Sequence, residues 1–452
     1  MGIMLERIKT YIETKISPSG PLVVSATDYG ISANMMSRDG LKVVDRLQKA
    51  GFQAYIVGGC VRDLLLGLKP KDFDVATDAQ PDEVRRLFRR SRIIGRRFQI
   101  VHVQFSRELI EVTTFRSNEN VQDNDHAKRS TQRAQSKSGL LTRDNVFGSI
   151  QDDATRRDLT VNALYYNPAD NSIHDFTKGL EDIESKLIRI IGNPSARFRE
   201  DPVRLLRVVR FAAKLGFDID ANTAKPISKR ASDLQQVSPP RLFDETLKLY
   251  MSGRGSATYN LLKQYGLFRY LVPQLHRIMQ SDQDNIDGLI EQAFINTDRR
   301  IAANQRVTPA FIYAVLLWPV VMSKAAQHGQ KGNSASYALS KAGSEVISNQ
   351  VAVTAIPKRF TVPMREIWDL QIQLPRRGGN RAQRLSEHPR FRAAYDFILL
   401  REQSGEDLDG LGDWWTKYQS ADDDARLSMV KSLPRNPTGN RRRNRRRGPK
   451  KS

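Results

Sequence analysis

Cysteine is nearly absent from this chain of 452 residues, in which Cys60 is the only one. A single cysteine excludes an internal disulfide and fits a reducing compartment. Residues 1–15 are mixed polar and charged, so they show no cleavable signal, and we expect a cytoplasmic protein. The longest apolar run, 309–322, is short for a bilayer span and contains Pro319. It therefore predicts a core helix and no transmembrane segment.

Acidic residues are too few to balance the basic ones, and histidine is scarce. Asp and Glu number 50 against 72 Lys and Arg, which leaves a formal net charge of +22. A surplus of this size indicates a polyanionic partner, and nucleic acid fits better than a membrane surface. With six histidines in the chain, the pair His174-Asp175 lacks the further ligands of a histidine-based metal site. We interpret that pair as structural.

Two short motifs indicate phosphate and metal binding. The strand-like run 55–57 precedes Gly58 and Gly59, which let backbone amides approach a phosphate closely, and a predicted helix over 61–66 follows. Downstream, 71–76 is predicted as a strand, which places Asp72 and Asp74 on one face. Adjacent carboxylates repel unless a cation lies between them, and Mg²⁺ binds carboxylates together with substrate phosphates. This order of motifs is typical of nucleotidyltransferases.

A third carboxylate would complete the metal site, and two candidates stay open. Glu111 lies in a strand-like run between two apolar residues. Asp158 follows Arg157 at the start of an apolar helix that also contains Asn162. Arginine, acid and asparagine side chains in this order are suited to phosphate, ribose and a base edge.

A second cluster, 197–211, is rich in arginine. Asp201 and Arg204 are three residues apart, so a helix would place them on one face, where a carboxylate and a guanidinium can read a base edge. Arg207 and Arg210 continue at the same spacing, along a face where a triphosphate could lie. The cluster therefore predicts a nucleotide-binding surface.

The overall pattern predicts an α+β protein with a small mixed or antiparallel sheet in its N-terminal part and helices from about residue 178. Strand-like runs at 93–94, 100–105 and 109–115 predict an antiparallel meander. We divide the chain into five parts: an N-terminal arm (1–37), a catalytic head (38–177) with a mobile polar loop (117–143), a helical neck (178–270), a helical body (271–433) and a disordered basic tail (434–452).

Together these motifs resemble the class II nucleotidyltransferases, which comprise bacterial poly(A) polymerases and CCA-adding tRNA nucleotidyltransferases. The motifs of that family match, in chain order, Gly58, Gly59, Arg62 and Asp63; Asp72 and Asp74; Arg156, Arg157, Asp158, Asn162 and Ala163; and Arg199, Glu200, Asp201 and Arg204. The stretches 93–103, 241–249, 355–359 and 388–395 and the arginine-rich tail are more similar to the poly(A) polymerases.

The resemblance implies template-independent transfer of AMP from ATP to RNA 3′ ends, with two Mg²⁺ ions at Asp72 and Asp74. It implies that Gly58, Gly59 and Arg62 hold the triphosphate and that Asp201 and Arg204 select adenine. The body and tail would bind RNA by its phosphates, with tail residues Arg441, Arg442, Arg443, Arg445, Arg446 and Arg447.

Two alternatives remain beside this interpretation. A CCA-adding enzyme would share the catalytic residues, accept CTP and stop after three additions. A catalytically inactive RNA-binding protein is the other alternative, and the intact carboxylates argue against it. We expect RNA 3′ ends and ATP as partners, proteins of RNA decay as further partners, and a monomer.

Overall fold

The structure is a computed structural model that describes residues 20–95, 99–106, 108–117, 133–135, 141–144, 146–280 and 283–434. Residues 1–19 of the predicted arm, most of the predicted loop 117–143 and the six tail arginines from Arg441 to Arg447 lie outside the described residues. The chain divides into two compact units, one formed by 1–249 and 257–270 and the other by 250–256 and 271–452. The five-part division of the sequence stays a prediction.

A mixed sheet of eight strands, counted over the described residues, forms the centre of the first unit. Its spatial order is β1-β10-β9-β2-β3-β6-β5-β4, and every neighbouring pair is antiparallel except β3 with β6. The strands are β1 (Leu22–Ser25), β2 (Ala54–Val57), β3 (Asp74–Thr77), β4 (Ser91–Ile94), β5 (Ile100–Gln104), β6 (Leu109–Thr114), β9 (Leu164–Asn167) and β10 (Ser172–Asp175). The predicted meander β4-β5-β6 and the α+β class are confirmed.

Two strand predictions were wrong in part. Leu22–Ser25 was included in a loosely patterned arm, yet it pairs with β10 at the edge of the sheet. The strand predicted over 71–76 begins only at Asp74, so Asp72 precedes it. The reason is the partner strand: Val57 pairs with Asp74, and the chain leaves β2 at Gly58, so no backbone remains to pair with Asp72.

Two small sheets lie outside the large one. The strands β7 (Arg133–Gln135) and β8 (Leu141–Asp144) form an antiparallel pair. The strands β11 (Leu187–Ile188) and β12 (Asp218–Ile219) form a parallel pair. This second pair interrupts the region from about residue 178 that was predicted to be helical throughout.

Helices cover the sheet and continue to residue 271. The first helix, α1, begins after Ser37, whose hydroxyl accepts a hydrogen bond from the Gly40 amide at 3.1 Å, and its buried face of Val43, Val44 and Leu47 packs into the core. The helices of this region are α1 (Arg38–Lys49), α2 (Gly59–Leu65), α3 (Pro81–Leu87), α4 (Ile150–Arg156), α5 (Gly179–Glu184), α6 (Pro194–Glu200), α7 (Val203–Leu215), α8 (Ala221–Ala224), α9 (Ile227–Arg230), α10 (Pro239–Tyr250), α11 (Gly255–Gln264) and α12 (Phe268–Leu271). Short 3₁₀ turns cover Ala26–Tyr29, Ala33–Met35, Thr160–Asn162 and Ala231–Gln236.

The second unit is helical in its described residues. Its helices are α13 (Pro273–Met279), α14 (Gln283–Ala302), α15 (Pro309–Gly329), α16 (Ala335–Thr354), α17 (Lys358–Gln373), α18 (Arg381–Ser386), α19 (Phe391–Gln403), α20 (Leu411–Ser420) and α21 (Asp423–Lys431). The apolar run 309–322 forms most of α15, which is the one described helix long and apolar enough to cross a membrane. More than half of its apolar stretch is buried inside the protein, which agrees with the prediction of a core helix.

Candidate active site

The diglycine turn connects strand β2 to helix α2 in a conformation that requires glycine. Gly58 has φ +83°, a backbone region that side chains rarely adopt. A Cβ at Gly58 would lie 3.5 Å from Nη1 of Arg157 and 3.6 Å from the carbonyl oxygen of Asn162. The Gly58 amide donates to the carbonyl of Leu164 at 3.1 Å, which attaches the turn to strand β9. The turn therefore lies directly against the segment that carries Arg157 and Asn162.

Strand register brings two of the predicted carboxylates together beside this turn. Val57 of β2 pairs with Asp74 of β3, so Asp74 is level with the end of β2 where the glycines begin. Strand β3 runs parallel to β6 with Val75 opposite Val112, which places Asp74 level with Glu111. Asp72 is exposed and lies two residues before Asp74. Asp74 therefore lies at the start of the central strand β3, where the charges of both Glu111 and Asp72 affect it.

The charges of these carboxylates affect one another. The pKa of Asp74 is raised to about 6, mainly by burial and also by Glu111 and Asp72, while the Arg157 guanidinium opposes the rise. On its other side, Glu111 contacts Nε2 of His102 across the β5–β6 pair at 3.3 Å. Burial also raises the pKa of the neighbouring Cys60 thiol to about 12, so Cys60 is an inert core residue.

The carboxylates fit a metal that is shared with a substrate. Among the described residues, no group of three or more His, Cys, Asp or Glu side chains is close enough to hold a metal ion unaided. Mg²⁺ in nucleotide enzymes usually takes one or two carboxylates and completes its shell with water and phosphate oxygens. A carboxylate whose pKa is raised by burial and by acidic neighbours gains from such a cation, because the cation favours the ionised form.

Arg157 is held below the diglycine turn by partners that the sequence analysis missed. Its Nε and Nη2 donate to Oδ2 of Asp153 at 3.1 and 3.0 Å, and Nε also donates to the Tyr165 hydroxyl at 2.9 Å. The Tyr165 hydroxyl donates to the same Asp153 oxygen at 2.7 Å. Because Asp153 lies four residues before Arg157, helical spacing was the signal that could have revealed the pair.

Arg62 lies inside the protein instead of in an open phosphate site. Its side chain is buried, donates to Oδ1 of Asp63 at 2.9 and 2.6 Å and to Oδ1 of Asn162, and lies over the Phe211 ring at 5.1 Å. Asp63 also faces Lys214 at 3.7 Å. Arg62, Asp63 and Asn162 are therefore brought together, in contacts that connect α2, the Thr160–Asn162 turn and α7.

The second candidate acid, Asp158, has a different environment from Glu111. Its Oδ2 is 2.8 Å from Nε of Arg207, and its Oδ1 accepts from the Leu159 amide at 2.9 Å. Burial alone would raise the pKa of Asp158, but Arg207, the Leu159 amide and Arg204 outweigh burial and lower it. Asp158 is thus an acid paired with Arg207 of helix α7, whereas the charge of Glu111 raises the pKa of Asp74.

Asp201 and Arg204 do not share one helix as predicted. Helix α6 ends at Glu200 and α7 begins at Val203, so Asp201 lies in the break between them, next to Pro202. The buried Asp201 carboxylate instead accepts from Nη1 and Nη2 of Arg241, each at 2.7 Å. Arg241 is 40 residues away in sequence, and only its place in the stretch 241–249 had drawn attention to it.

The remaining arginines of the cluster hold the segment together through acids and carbonyl groups. Arg204 donates to Glu200 at 3.0 Å and to the carbonyl of Arg197 at 2.9 Å, and Arg210 is 3.5 Å from Glu245. Arg197 donates to the carbonyls of both Arg156 and Arg157. Burial lowers the pKa of Arg197 to about 10, and the neighbouring Arg204 acts in the same direction. The predicted Arg204, Arg207 and Arg210 are thus each positioned by an acid, and Arg197 shares Glu200 with Arg204.

Family models match three parts of the chain. The Poly A polymerase head domain matches residues 54–189, the probable RNA and SrmB-binding site of polymerase A matches 216–279, and the polymerase A arginine-rich C-terminus matches 331–449. The first of these ranges contains the diglycine turn, all three carboxylates and Arg157.

Relatives in other bacteria match nearly the whole chain. Poly(A) polymerase I of Salmonella typhimurium is 44% identical over 98% of this chain and 95% of that protein, and the Haemophilus influenzae enzyme is 44% identical over 91% of each. The CCA-adding enzyme of Bacillus velezensis is 38% identical, but only over 51% of this chain and 54% of its own length.

Solved structures show the same fold. The CCA-adding enzyme of Bacillus stearothermophilus in complex with CTP aligns with a TM-score of 0.52 at 24% identity, covering 85% of this chain and 82% of that one. The Thermotoga maritima CCA-adding enzyme complexed with tRNA aligns with a TM-score of 0.54 at 17% identity, covering 92% and 88%. At these identities the likeness concerns the fold alone. The full-length relatives at 44% identity and the matched head domain decide the family: the chain belongs to the bacterial poly(A) polymerases of the nucleotidyltransferase superfamily.

Proposed function

We propose that this protein is a template-independent polynucleotide adenylyltransferase, which transfers AMP from ATP to RNA 3′ ends and releases pyrophosphate. The observation that carries the proposal is the strand register in the centre of the sheet, which brings Gly58, Asp74 and Glu111 to neighbouring positions. A glycine turn beside adjacent carboxylates can hold a triphosphate and its counter-ions at one point.

Asp72 and Asp74 are the proposed Mg²⁺ ligands, and Glu111 is the proposed third acid. Bound Mg²⁺ would favour ionisation of the RNA 3′-hydroxyl and neutralise the departing pyrophosphate. Glu111 is favoured over Asp158 because it acts directly on Asp74, whereas Asp158 is paired with Arg207 at 2.8 Å. Asp158 is then a positioning residue, which holds Arg207 at the site.

The glycine turn and its neighbours are proposed to place the triphosphate. Gly58 and Gly59 leave the backbone open to phosphate oxygens, since neither carries a side chain. Arg157 packs against Gly58 and acts on Asp74, so it contributes positive charge close to the reacting phosphates. Arg62 is proposed to stabilise the turn from inside, through Asp63 and Asn162, more than by contacting ATP. These residues act by positioning and by neutralising charge, which is the main task in phosphoryl transfer.

Base choice is proposed to depend on Asp201, with Arg204 and Arg241 as its neighbours. Arg241 donates one hydrogen bond to each oxygen of Asp201, and a carboxylate oxygen can accept more than one hydrogen bond. An exocyclic amine such as N6 of adenine is a donor that a carboxylate oxygen can accept, while the two-point contact with Arg241 orients the buried carboxylate. Arg204 and Arg207 lie on the same segment and supply donors for the base or the ribose.

A CCA-adding activity is the alternative that the same catalytic residues would permit. The discriminating experiment presents purified protein, Mg²⁺ and an unstructured RNA primer with each of the four nucleoside triphosphates separately. A long ladder with ATP alone supports adenylyl transfer. Efficient CTP incorporation that stops after a few additions would support the alternative, and no incorporation of any nucleotide would support an inactive RNA-binding protein.

The cellular setting follows from the proposed reaction. We propose a cytoplasmic monomer that acts on RNA 3′ ends and meets proteins of RNA decay. The support is a family match over 216–279 to a region described as a probable RNA and SrmB-binding site. Co-purification from cells with and without ribonuclease treatment tests this, because a direct protein partner stays bound after the RNA is removed.

A further inference from the structure

A basic cavity of about 810 Å³ lies within the second compact unit. Six arginines line it, and Asp396 is the one acid among its described lining residues. The six are Arg299, Arg300, Arg306, Arg359, Arg390 and Arg392. We call this the arginine cavity.

Four helices build the arginine cavity, and three of them begin there. Arg299 and Arg300 lie in the last turn of α14, while Phe311, Arg359 and Arg392 lie in the first turns of α15, α17 and α19. The N-terminal end of a helix carries a partial positive charge and the C-terminal end a partial negative one, so the three N-terminal ends outweigh the single C-terminal end of α14 and add to the arginine charge. Two of the stretches singled out in the sequence, 355–359 and 388–395, contribute lining arginines.

The acids near the cavity compensate only part of its charge. Asp396 faces Arg392 at 3.0 Å and Arg300 at 3.5 Å, and Glu366 faces Arg390 at 2.8 Å. Within the described residues, Arg299, Arg306 and Arg359 have no carboxylate within 4.0 Å, and all three are exposed. Like charges collected in one cavity repel, so the arrangement gains from an anion with several charges.

The same cavity also has an apolar and aromatic lining. Phe311 and Phe360 are half-buried there, beside the buried Ile367 and Leu400. The Arg359 guanidinium lies over the Phe360 ring at 5.0 Å. Exposed cations next to aromatic faces are the combination by which proteins hold single-stranded nucleic acid, through phosphates and through stacked bases.

We propose that the arginine cavity binds single-stranded RNA and retains the growing adenylate strand or its primer. The proposal rests on the proposed function, because RNA is the polyanion which that reaction requires. Six arginines, from three helices and the residues that precede two helices, suit a chain of phosphates better than the single triphosphate of a free nucleotide. An acidic protein would match the charge but would not use the aromatic lining in this way.

The test compares two full-length variants with the same loss of charge. The cavity variant carries Arg299→Gln, Arg359→Gln and Arg392→Gln. The control carries Arg365→Gln, Arg381→Gln and Arg384→Gln, which are exposed arginines of the same unit outside the cavity. Binding of a fluorescent 18-nucleotide oligoadenylate is measured by anisotropy over a series of salt concentrations.

We expect the cavity variant to bind at least about 10-fold more weakly at low salt, with the slope of log affinity against log salt smaller by about 2. The control should change both quantities much less. Phe360→Leu should weaken binding with an unchanged salt slope, since it removes a stacking face and no charge. Cavity and control variants with the same affinity and slope would overturn the proposal, as would competition by polyglutamate or by ATP as strong as that by unlabelled oligoadenylate.

Activity separates this proposal from the proposed function. With saturating primer, the cavity variant should keep the wild-type rate of AMP addition and show a raised KM for RNA. A wild-type protein that adds no AMP would contradict the proposed function, whatever the binding data show. An unchanged KM for RNA in the cavity variant, beside a fully active wild type, would overturn the cavity proposal alone.

Discussion

The Arg241 guanidinium donates to both carboxylate oxygens of Asp201, at 2.7 Å each, across 40 residues of sequence. The two-point contact fixes the plane of a carboxylate that lies in the break between two helices. The base selection proposed for Asp201 would therefore depend on Arg241 as well.

Asp201→Ala should reduce the preference for ATP over CTP and GTP by about 10-fold or more, because a base amine then meets no acceptor in a buried site. RNA affinity should change little. The measurement is kcat/KM for each nucleotide on one primer. Arg241→Lys keeps the charge and loses the two-point contact, so it should show a smaller loss in the same direction. Unchanged relative use of the nucleotides in Asp201→Ala would refute this assignment.

Asp74→Asn should lower kcat for nucleotide addition by at least about 100-fold, because a ligand of the proposed metal is lost.

In EDTA the same change, Asp74→Asn, should stabilise the fold. The pKa of Asp74 is about 6 in the folded protein against an ordinary value of 3.8, so the folded state binds more protons than the unfolded chain between these values. Ionisation of Asp74 therefore lowers the free energy of unfolding progressively as pH rises from about 4 to 6, and the full decrease remains above pH 6.

Thermal melting in EDTA at several pH values checks whether ionisation of Asp74 destabilises the fold. The rise in melting temperature of Asp74→Asn should grow between about pH 4 and 6, stay level above it, and amount to a few degrees. Asp72→Asn is the control, since Asp72 is exposed: activity should fall while melting changes less. A variant at position 74 that melts below wild type at pH 8 without metal would contradict the account.

Glu111→Gln and Asp158→Asn should separate a metal-site acid from a positioning acid. Glu111 is partly exposed and acts on Asp74, so Glu111→Gln should lower kcat by about 100-fold and leave melting nearly unchanged. Asp158 is buried against Arg207, so Asp158→Asn should lower the free energy of unfolding by about 1–3 kcal/mol. Paired measurements of kcat and melting decide, and the reverse pattern would make Asp158 the third acid.

Deleting residues 435–452 should weaken RNA binding and flatten its salt dependence. The segment from 435 to 451 holds nine basic residues and no acid, so its attraction to RNA comes from phosphate contacts. ATP affinity and thermal stability should stay nearly unchanged, because the proposed active site lies in the first compact unit. Equal RNA affinity and salt slope in the shortened protein would show that the tail does not contact RNA.

Local pattern was sufficient to predict the parts of the site that are close in sequence. The β2 strand, the glycine turn and helix α2 follow one another within 12 residues, and their order was confirmed. Glu111 was one of two candidates for the third acid, and local pattern could not decide between them, because the position of Glu111 level with Asp74 depends on the parallel pairing of β3 with β6. Parallel strands need a long connection, and the sequence between them does not reveal which strands will pair.

Contacts between distant residues were missed for a related reason. Asp201 was assigned to Arg204, its neighbour at helical spacing, but Pro202 separates two helices there and Arg241 takes the carboxylate. Arg62 was predicted to face the triphosphate, and the structure buries it against Asp63 and Asn162. In both cases the residue type indicated a charged contact, while tertiary packing decided which partner the side chain contacts.

Transfer of AMP from ATP to RNA 3′ ends is tested most directly by nucleotide addition to an unstructured RNA primer. The purified full-length protein is given Mg²⁺ and each nucleoside triphosphate alone. We predict a long ladder with ATP, little or no product with CTP, GTP or UTP, and no product from Asp74→Asn with any nucleotide. Extension by CTP that ends after two or three residues, or a full ladder from Asp74→Asn, would contradict it.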